Sequence, residues 1–312
     1  MKPINNPRSL TVDGVNKALA ADADAFIAAE NARYFSEVDD VAAVLCEHMP
    51  GRCLVLLSGP SSAGKTTTAG RLTAALKRRS RTAHIVSLDN FYRGLGQAPV
   101  LPDGSHDYES VEALDMLGLQ HCMTQLLTDG CTELPVFDFH TRQPAPYTEK
   151  LCVHENDVVI FEGIHALNPI LEQHLPPESV FKIFINVMLP IYEGWDKLLA
   201  RRDMRLVRRL LRDYQFRNSS IENTLDMWKQ VVRGENLYMF PFVDTADVIF
   251  DTTHAYEPAM LGPKLLPLLR EVSPDSVHAK TVRHLIEALE KFAPISVDKL
   301  PADSLLWEFV GK

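Results

Sequence analysis

The chain has 312 residues, 46% apolar and 23% charged, the balance of a globular protein with room for one large α/β domain or two modest ones. With 32 basic against 41 acidic side chains the formal charge is −9. That argues against nucleic acid as a partner, because binders of long polyanions carry a basic face or stripe. No apolar run approaches the ~18 residues of a membrane-spanning helix, and the opening MKPINNPRSLTVDG lacks the apolar core of a secretory signal. A cytoplasmic protein without membrane contact is expected.

In chain order, residues 14–49 predict two helices, because the Ala-rich stretches there keep a period near 3.6. The pattern then changes. CLVLLS (53–58) is a continuous apolar run, as a parallel strand buried on both faces requires. A glycine-rich turn follows, and then a helix from about Lys65 to Arg79. AHIVSL (83–88), ELPVF (133–137), DVVIFEG (157–163), FKIFINV (181–187) and ADVIFD (246–251) predict further buried strands. Helical patterns lie between most of them. Strands alternating with helices imply βαβ units, hence an α/β fold with a mostly parallel sheet covered on both faces. Residues 255–312 predict a helical tail broken near Ser273–Ser276. Three segments are therefore expected: an N-terminal helical extension (1–50), a core (51–254) and a C-terminal helical tail (255–312). The five cysteines, Cys46, Cys53, Cys122, Cys131 and Cys152, contain no C-x-x-C pair and are odd in number. They are expected to be reduced thiols, with Cys122 on an apolar helix face.

GPSSAGKT (59–66) fits G-x-x-x-x-G-K-[ST], with a strand before it and a helix after it. Glycines let such a loop turn its N–H groups inward toward phosphate oxygens, and the helix that starts there favours negative charge. Gly59, Ser61, Ser62, Ala63, Gly64, Lys65, Thr66 and Thr67 are thus expected to cradle a triphosphate. Lys65 would reach its β and γ phosphates and Thr66 would ligate Mg²⁺. DVVIFEG ends its apolar run in Glu162, a second candidate for Mg²⁺ or its waters. Asp89 would lie at the C-terminal end of the second strand, the edge where ligands bind in open α/β sheets. It could accept the proton of an attacking hydroxyl, or it could simply cap a turn. Arg205, Arg208, Arg209 and Arg212 recur at i, i+3, i+4 and i+7 and make one cationic helix face, with only Asp203 and Asp213 close by in sequence. His140 and His165 have no second ligand at metal spacing and read as hydrogen-bonded or surface histidines. Trp228 and Tyr238 read as packing residues.

These motifs together resemble the uridine kinase and phosphoribulokinase family of P-loop kinases. GPSSAGKTT resembles its phosphate loop, SLDNFYRG (87–94) its Asp-x-Phe-Tyr segment, and DYESVEALD (107–115) its ribose-binding segment. LPVFDFHTRQ (134–143) resembles its base-binding segment, VVIFEG its strand ending in Glu-Gly, and RLVRRLLRDYQFR (205–217) its lid. RRLLRDYQFRNSS, RGENLYMFPFVDTADVIF and SLLWEFVGK resemble a uridine-kinase-like nucleoside kinase subgroup often fused to a TGS domain. Residues 1–50 are too short and too helical for that module.

The resemblance implies a P-loop kinase that moves the γ-phosphoryl of ATP, with Mg²⁺, to a hydroxyl of a small metabolite such as the 5′-hydroxyl of uridine or cytidine. It implies Asp89 as the catalytic base, with Lys65 and Arg212 assisting transfer. Asp107 and Arg209 would hold sugar hydroxyls, Arg212 and Arg217 would close over the phosphates from a lid at about 203–220, and Tyr92, Phe137, Phe139 and Arg142 would line the acceptor site. Homo-oligomers are common in the family. Two positions depart from its pattern: Phe137 stands where classical uridine kinases carry Tyr, and Arg142 where they carry His. A kinase for a sugar phosphate or polyol, and a nucleotide-binding module without transfer activity, are the alternatives.

Overall fold

The structure, a computed structural model, describes residues 9–311; most of the segment read for a secretory signal (residues 1–8) lies outside it. β1 (Leu10–Thr11) leads into α1 (Val12–His48), whose start is capped by the Thr11 hydroxyl accepting from the Gly14 amide at 3.0 Å. The two helices expected at 14–49 are present within α1, but they part at the non-helical Asp22, not near residue 36. There the backbone leaves helical geometry, and the Asp22 carboxylate recaps the chain by accepting from the Ala25 amide at 2.9 Å. β2 (Cys53–Ser58), α2 (Lys65–Arg78) and β3 (Ala83–Ser87) follow as the sequence predicts. Next come α3 (Met116–Thr128), β4 (Cys131–Asp138), β5 (Gln143–Cys152), β6 (Val158–Glu162) and β7 (Val180–Asn186). The short β8 (Ile191–Glu193) and β9 (Asp196–Leu199) precede α4 (Arg201–Arg217), α5 (Ile221–Tyr238) and β10 (Val248–Asp251). α6 (Glu257–Arg270), α7 (Ala279–Leu289) and the one-turn α8 (Trp307–Val310) complete the order.

The main sheet is all-parallel, in the order β10-β7-β2-β6-β3. Its strands feed two cores by strict alternation. Cys53, Val55 and Leu57 of β2 and Val158 and Ile160 of β6 face the α1/α2/α4/α6 side, whereas Leu54, Leu56, Val159 and Phe161 face α3. Both faces being covered is why these strands read as unbroken apolar runs. ELPVF is the exception. It lies in β4, which pairs antiparallel with β5 as a separate hairpin and is only half-buried. Cys131 and Cys152 face each other at the open end of that hairpin and are disulfide-bonded, which corrects the expectation of five free thiols. Cys53 and Cys122 are free and buried, and Cys46 is free and exposed.

The expected boundaries at 50/51 and 254/255 do not separate cores. One cluster runs from Val12 through the sheet to Val310. The Tyr34 hydroxyl of α1 meets Thr68 Oγ1 of α2 at 2.8 Å, and Glu30 accepts from the Ala255 amide at 3.0 Å. α4, expected as a lid, is a core helix for most of its length, with Met204, Val207, Leu210 and Leu211 buried. Among the described residues no helix is long and apolar enough to cross a membrane.

The arginine face of α4 is the chief surprise. Arg205 and Arg208 are 1% and 0% exposed, not a solvated surface. Arg205 makes two bonds to Glu235 at 2.6 and 2.8 Å, and Arg208 makes two to Glu257 at 2.8 and 2.5 Å. Burial by itself would raise the Glu257 carboxyl, but the charge of Arg208 and bonds from Arg208 and His254 hold it at about 2. Because that value lies below the unfolded one, the stabilisation is present above about pH 4.5 and is lost as pH falls toward 2. Arg208→Met is expected to cost about 3–5 kcal/mol, since it strands Glu257 as a buried unpaired charge. Arg208→Met/Glu257→Leu should recover much of that loss, and urea unfolding of both variants provides the check.

Candidate active site

The phosphate loop leaves β2 at Gly59, where a Cβ would come within 2.5 Å of the Ile185 carbonyl oxygen, so only glycine fits beneath β7. It re-enters helix through Gly64 at φ 92°, a left-handed conformation that favours glycine. Lys65 is folded back, its Nζ donating to the carbonyls of Gly59 at 2.9 Å and Pro60 at 3.4 Å. The loop is gripped from below by α4. Arg205 donates to the Ser61 carbonyl at 3.1 Å, Arg208 to the Ser62 carbonyl at 3.2 Å and Arg209 to Ser61 Oγ at 2.7 Å. Glu235 accepts from the Ser61 amide at 2.9 Å. Arg205 and Arg208 are thus structural braces, and Arg209 touches the loop while its charge also acts on Glu109 of the Asp107 cleft. Arg209, Arg212 and Arg217 all converge on the buried Asp213, at 3.1, 2.7 and 3.5 Å. Trp228 packs under the Arg205 and Arg209 guanidiniums, as a packing residue does.

Two carboxylates share the loop's sheet edge. Glu162, the last residue of β6, is in register with Leu57 of β2 and Ser87 of β3. Asp89 follows β3 in a short 3-10 turn, its amide donating to Ser87 Oγ at 3.3 Å. Asp89 keeps one side open to solvent but is crowded by protein atoms. That crowding raises its pKa, opposed by the charges of Lys65 and Arg217. Burial also raises Glu162, opposed by Lys65 and reinforced by Asp89. Loop, Lys65, Asp89 and Glu162 therefore form one electrostatic unit. Thr66 is exposed at the first turn of α2.

Asp107 and Glu109 line a cleft of about 450 Å³ with His106 and Arg233. Asp107 is buried and already partnered, accepting from Arg233 at 3.0 Å and from the Tyr238 hydroxyl at 2.8 Å. Tyr238, expected only to pack, thus bonds a site carboxylate. Glu109 lies against Gly234 of α5. Burial, set against the charge of Arg209 and compounded by Glu235, Asp107 and Asp89, raises it to about 7. His165 is buried beside Tyr238, so it is not a surface histidine, and burial, opposed by a hydrogen bond with the Glu109 backbone and by the charge of Asp107, lowers it to about 4, so it is neutral.

Tyr92, Phe137 and Phe139 form an aromatic row, with ring centroids 5.8 and 5.1 Å apart. The Phe137 amide donates to Asn90 Oδ1 at 3.4 Å, tying the β4 hairpin to the Asp89 turn. Arg142 is exposed at the hairpin tip with φ 55°, and His140 is exposed beside it. Sequence reasoning missed Glu109, Arg233 and Glu235. None has a local signature: Glu235 is 30 residues from Arg205, and Arg233 is 126 from Asp107.

The sequence profile of the Phosphoribulokinase / Uridine kinase family matches residues 54–257. The chain belongs to that family. A uridine kinase of Mycoplasma genitalium is 30% identical over 179 residues, spanning 57% of this chain and 75% of that one. A uridine kinase of Chloroflexus aggregans is 28% identical over 201 residues, spanning 63% and 85%. A solved structure of a possible uridine kinase from Bacillus stearothermophilus superposes at a TM-score of 0.47 with 17% identity, covering 69% of this chain and 98% of that one. The chain is a P-loop kinase, a phosphotransferase with a hydroxyl acceptor on a small metabolite.

Glu109 yields a pH prediction. Its folded pKa lies above the unfolded value, so stability is fully present below about pH 4.5 and is lost as pH rises through about 7. Glu109→Gln removes this loss. The melting temperature of the variant should gain on the wild type between pH 6 and pH 8, as differential scanning calorimetry would report; a constant gap would contradict the assignment.

Proposed function

We propose that the donor is ATP, that Mg²⁺ is the metal, and that the acceptor is a nucleoside phosphorylated on its 5′-hydroxyl. The observation that carries this reading is the placement of Asp89 beside Lys65 at the sheet edge that bears the phosphate loop. The names of the curated relatives support the nucleoside.

Among the described residues no group of three or more His, Cys, Asp or Glu could hold a metal unaided. That suits Mg²⁺, which keeps several waters and takes one or two carboxylates plus substrate phosphates. The exposed Thr66 hydroxyl and the Glu162 carboxylate are hard oxygen donors at the right edge, so the residues fit. The bound ion would supply charge neutralisation between the β and γ phosphates.

Lys65 releases its loop carbonyls to take phosphate oxygens in their place. Asp89 accepts the proton of the attacking hydroxyl, and its raised pKa makes it a better acceptor than an ordinary aspartate. Asp107, steadied by Arg233 and Tyr238, receives ribose hydroxyls. Arg209 reaches the acceptor side of the loop, while Arg212 and Arg217 turn from Asp213 to the transferring phosphoryl. Closure is assigned to the end of α4, because the helix before Leu211 is fixed in the core. Residues 51–254 carry all of these groups. Tyr92, Phe137 and Phe139 offer the base a stacking surface. Phe137 lacks the hydroxyl of a Tyr, and apolar pockets discriminate weakly, so uridine and cytidine are expected to serve comparably. The same lack of a polar reader favours, as the second reading, a polyol or sugar phosphate.

Asp89→Asn is expected to keep ATP affinity and lose at least about a hundredfold in turnover. Lys65→Ala should weaken both binding and turnover. Near-normal turnover by Asp89→Asn would remove it from the base role. ATP consumption with uridine, cytidine, ribulose 5-phosphate and a polyol set decides the acceptor, with uridine and cytidine expected to lead.

A further inference from the structure

The residues after Leu300 lie outside the 54–257 family match, yet they reach the phosphate loop. The Thr67 hydroxyl donates to Glu308 Oε2 at 2.6 Å. The Leu305 side chain lies against Gly64, where a Cβ would come within 2.7 Å of Leu305 Cδ1. Gly311 backs onto Gln215 and Phe216 in the last turn of α4, and the Arg208 guanidinium sits 5.1 Å from the Phe309 ring centroid. The segment therefore bridges the two elements that flank the phosphates, the start of α2 and the end of α4.

Sheet order says what should lie there. Asp89 and Glu162 follow β3 and β6, on one side of β2; β7 and β10 are on the other. The transferring phosphoryl must face Asp89, so the nucleoside end of the donor points away from it, over the first turn of α2 toward the β7/β10 side. Ser304–Gly311 reaches that side through Arg208, whose guanidinium donates to the Thr252 carbonyl just past β10 at 2.7 Å and lies over the Phe309 ring, although the charge of Glu308 is still felt by Glu162. It is a fixed wall, not a flap: Leu305, Leu306, Phe309 and Val310 are fully buried. Lys264 Nζ donates to the Val310 carbonyl at 3.2 Å, and Trp307 Nε1 to the Pro301 carbonyl at 2.7 Å.

One residue of the segment and one neighbour are left with capacity for a ligand. Glu308 is half-buried; its Oε2 takes the Thr67 hydroxyl, and its Oε1 has no hydrogen bond among the described residues. Phe216 is 55% exposed beside Gly311. A carboxylate so close to a triphosphate site costs like-charge repulsion, offset in part by Arg217, whose electrostatic surroundings include Glu308. A carboxylate oxygen with nothing to accept is suited to the vicinal hydroxyls of a ribose.

We propose that Ser304–Gly311 forms the donor-nucleoside wall of the ATP site, with Glu308 accepting from the ribose hydroxyls of the nucleotide and Phe216 flanking its base. This rests on the ATP reading above. It adds a specificity residue that lies outside the span shared with the family.

The test uses the full chain with Mg²⁺ and three probes: ATP, 2′,3′-dideoxy-ATP and inorganic triphosphate. In Glu308→Ala, ATP affinity should fall about tenfold, the size expected for one hydrogen bond to a charged group. The preference for ATP over the dideoxy nucleotide should vanish, and triphosphate affinity should hold or rise, because the like-charge repulsion leaves with the carboxylate. KM for ATP should rise while kcat at saturation holds, because the reacting end is untouched. Parallel weakening of triphosphate would make Glu308 a mere support of the loop and overturn the proposal, as would a surviving ATP preference. Glu308→Gln keeps the volume and an acceptor for Thr67, and serves if the alanine variant does not fold. It should shrink the ATP preference at least threefold, and an unchanged ratio again overturns the proposal. A wild type that binds triphosphate but shows no preference for ATP sinks the wall alone. One that binds neither sinks the phosphate-site reading with it.

Discussion

Two buried guanidinium–carboxylate pairs set the shape of everything at the sheet edge. Arg205–Glu235 and Arg208–Glu257 join α4 to α5 and α6 inside the core, and the same two arginines hold the carbonyls of Ser61 and Ser62. A phosphate loop must present its amides to the ligand, so its carbonyls need partners on the opposite side. α4 supplies those partners from below. Buried ion pairs of this kind add little net stability, since desolvation offsets most of the attraction. Their value here is geometric: they make the loop's conformation a property of the core and not of its ligand.

The same logic orders the charges above the loop. Asp213 gathers Arg209, Arg212 and Arg217 around one buried carboxylate, so these cationic groups are held, not loose. On the other side the charge of Asp89 raises both Glu162 and Glu109, and Asp107 adds to Glu109.

What could be read from sequence follows the range of the interaction. GPSSAGKT was legible because turn, charge and helix start are consecutive residues. The central parallel strands β2 and β6 were legible because burial on both faces leaves an unbroken apolar run. ELPVF gave the same signal but belongs to a hairpin, since nothing in a five-residue run says which partner it will pair with. The arginine repeat of α4 was visible, yet its meaning was not: the acids that neutralise Arg205 and Arg208 lie 30 and 49 residues downstream. The Cys131–Cys152 bond was hidden for the same reason, because only the register of β4 against β5 brings the two thiols together. Tyr238 read as packing because its hydroxyl partner, Asp107, is 131 residues away.

The contact between Thr67 and Glu308 spans 241 residues, and this has a temporal consequence. At the ordinary pace of protein synthesis the loop emerges on the order of ten to fifty seconds before the segment that covers it. During that interval the growing chain holds the residues of the loop without the segment that packs on it. Thr67 therefore waits for its Glu308 partner while the intervening chain is made.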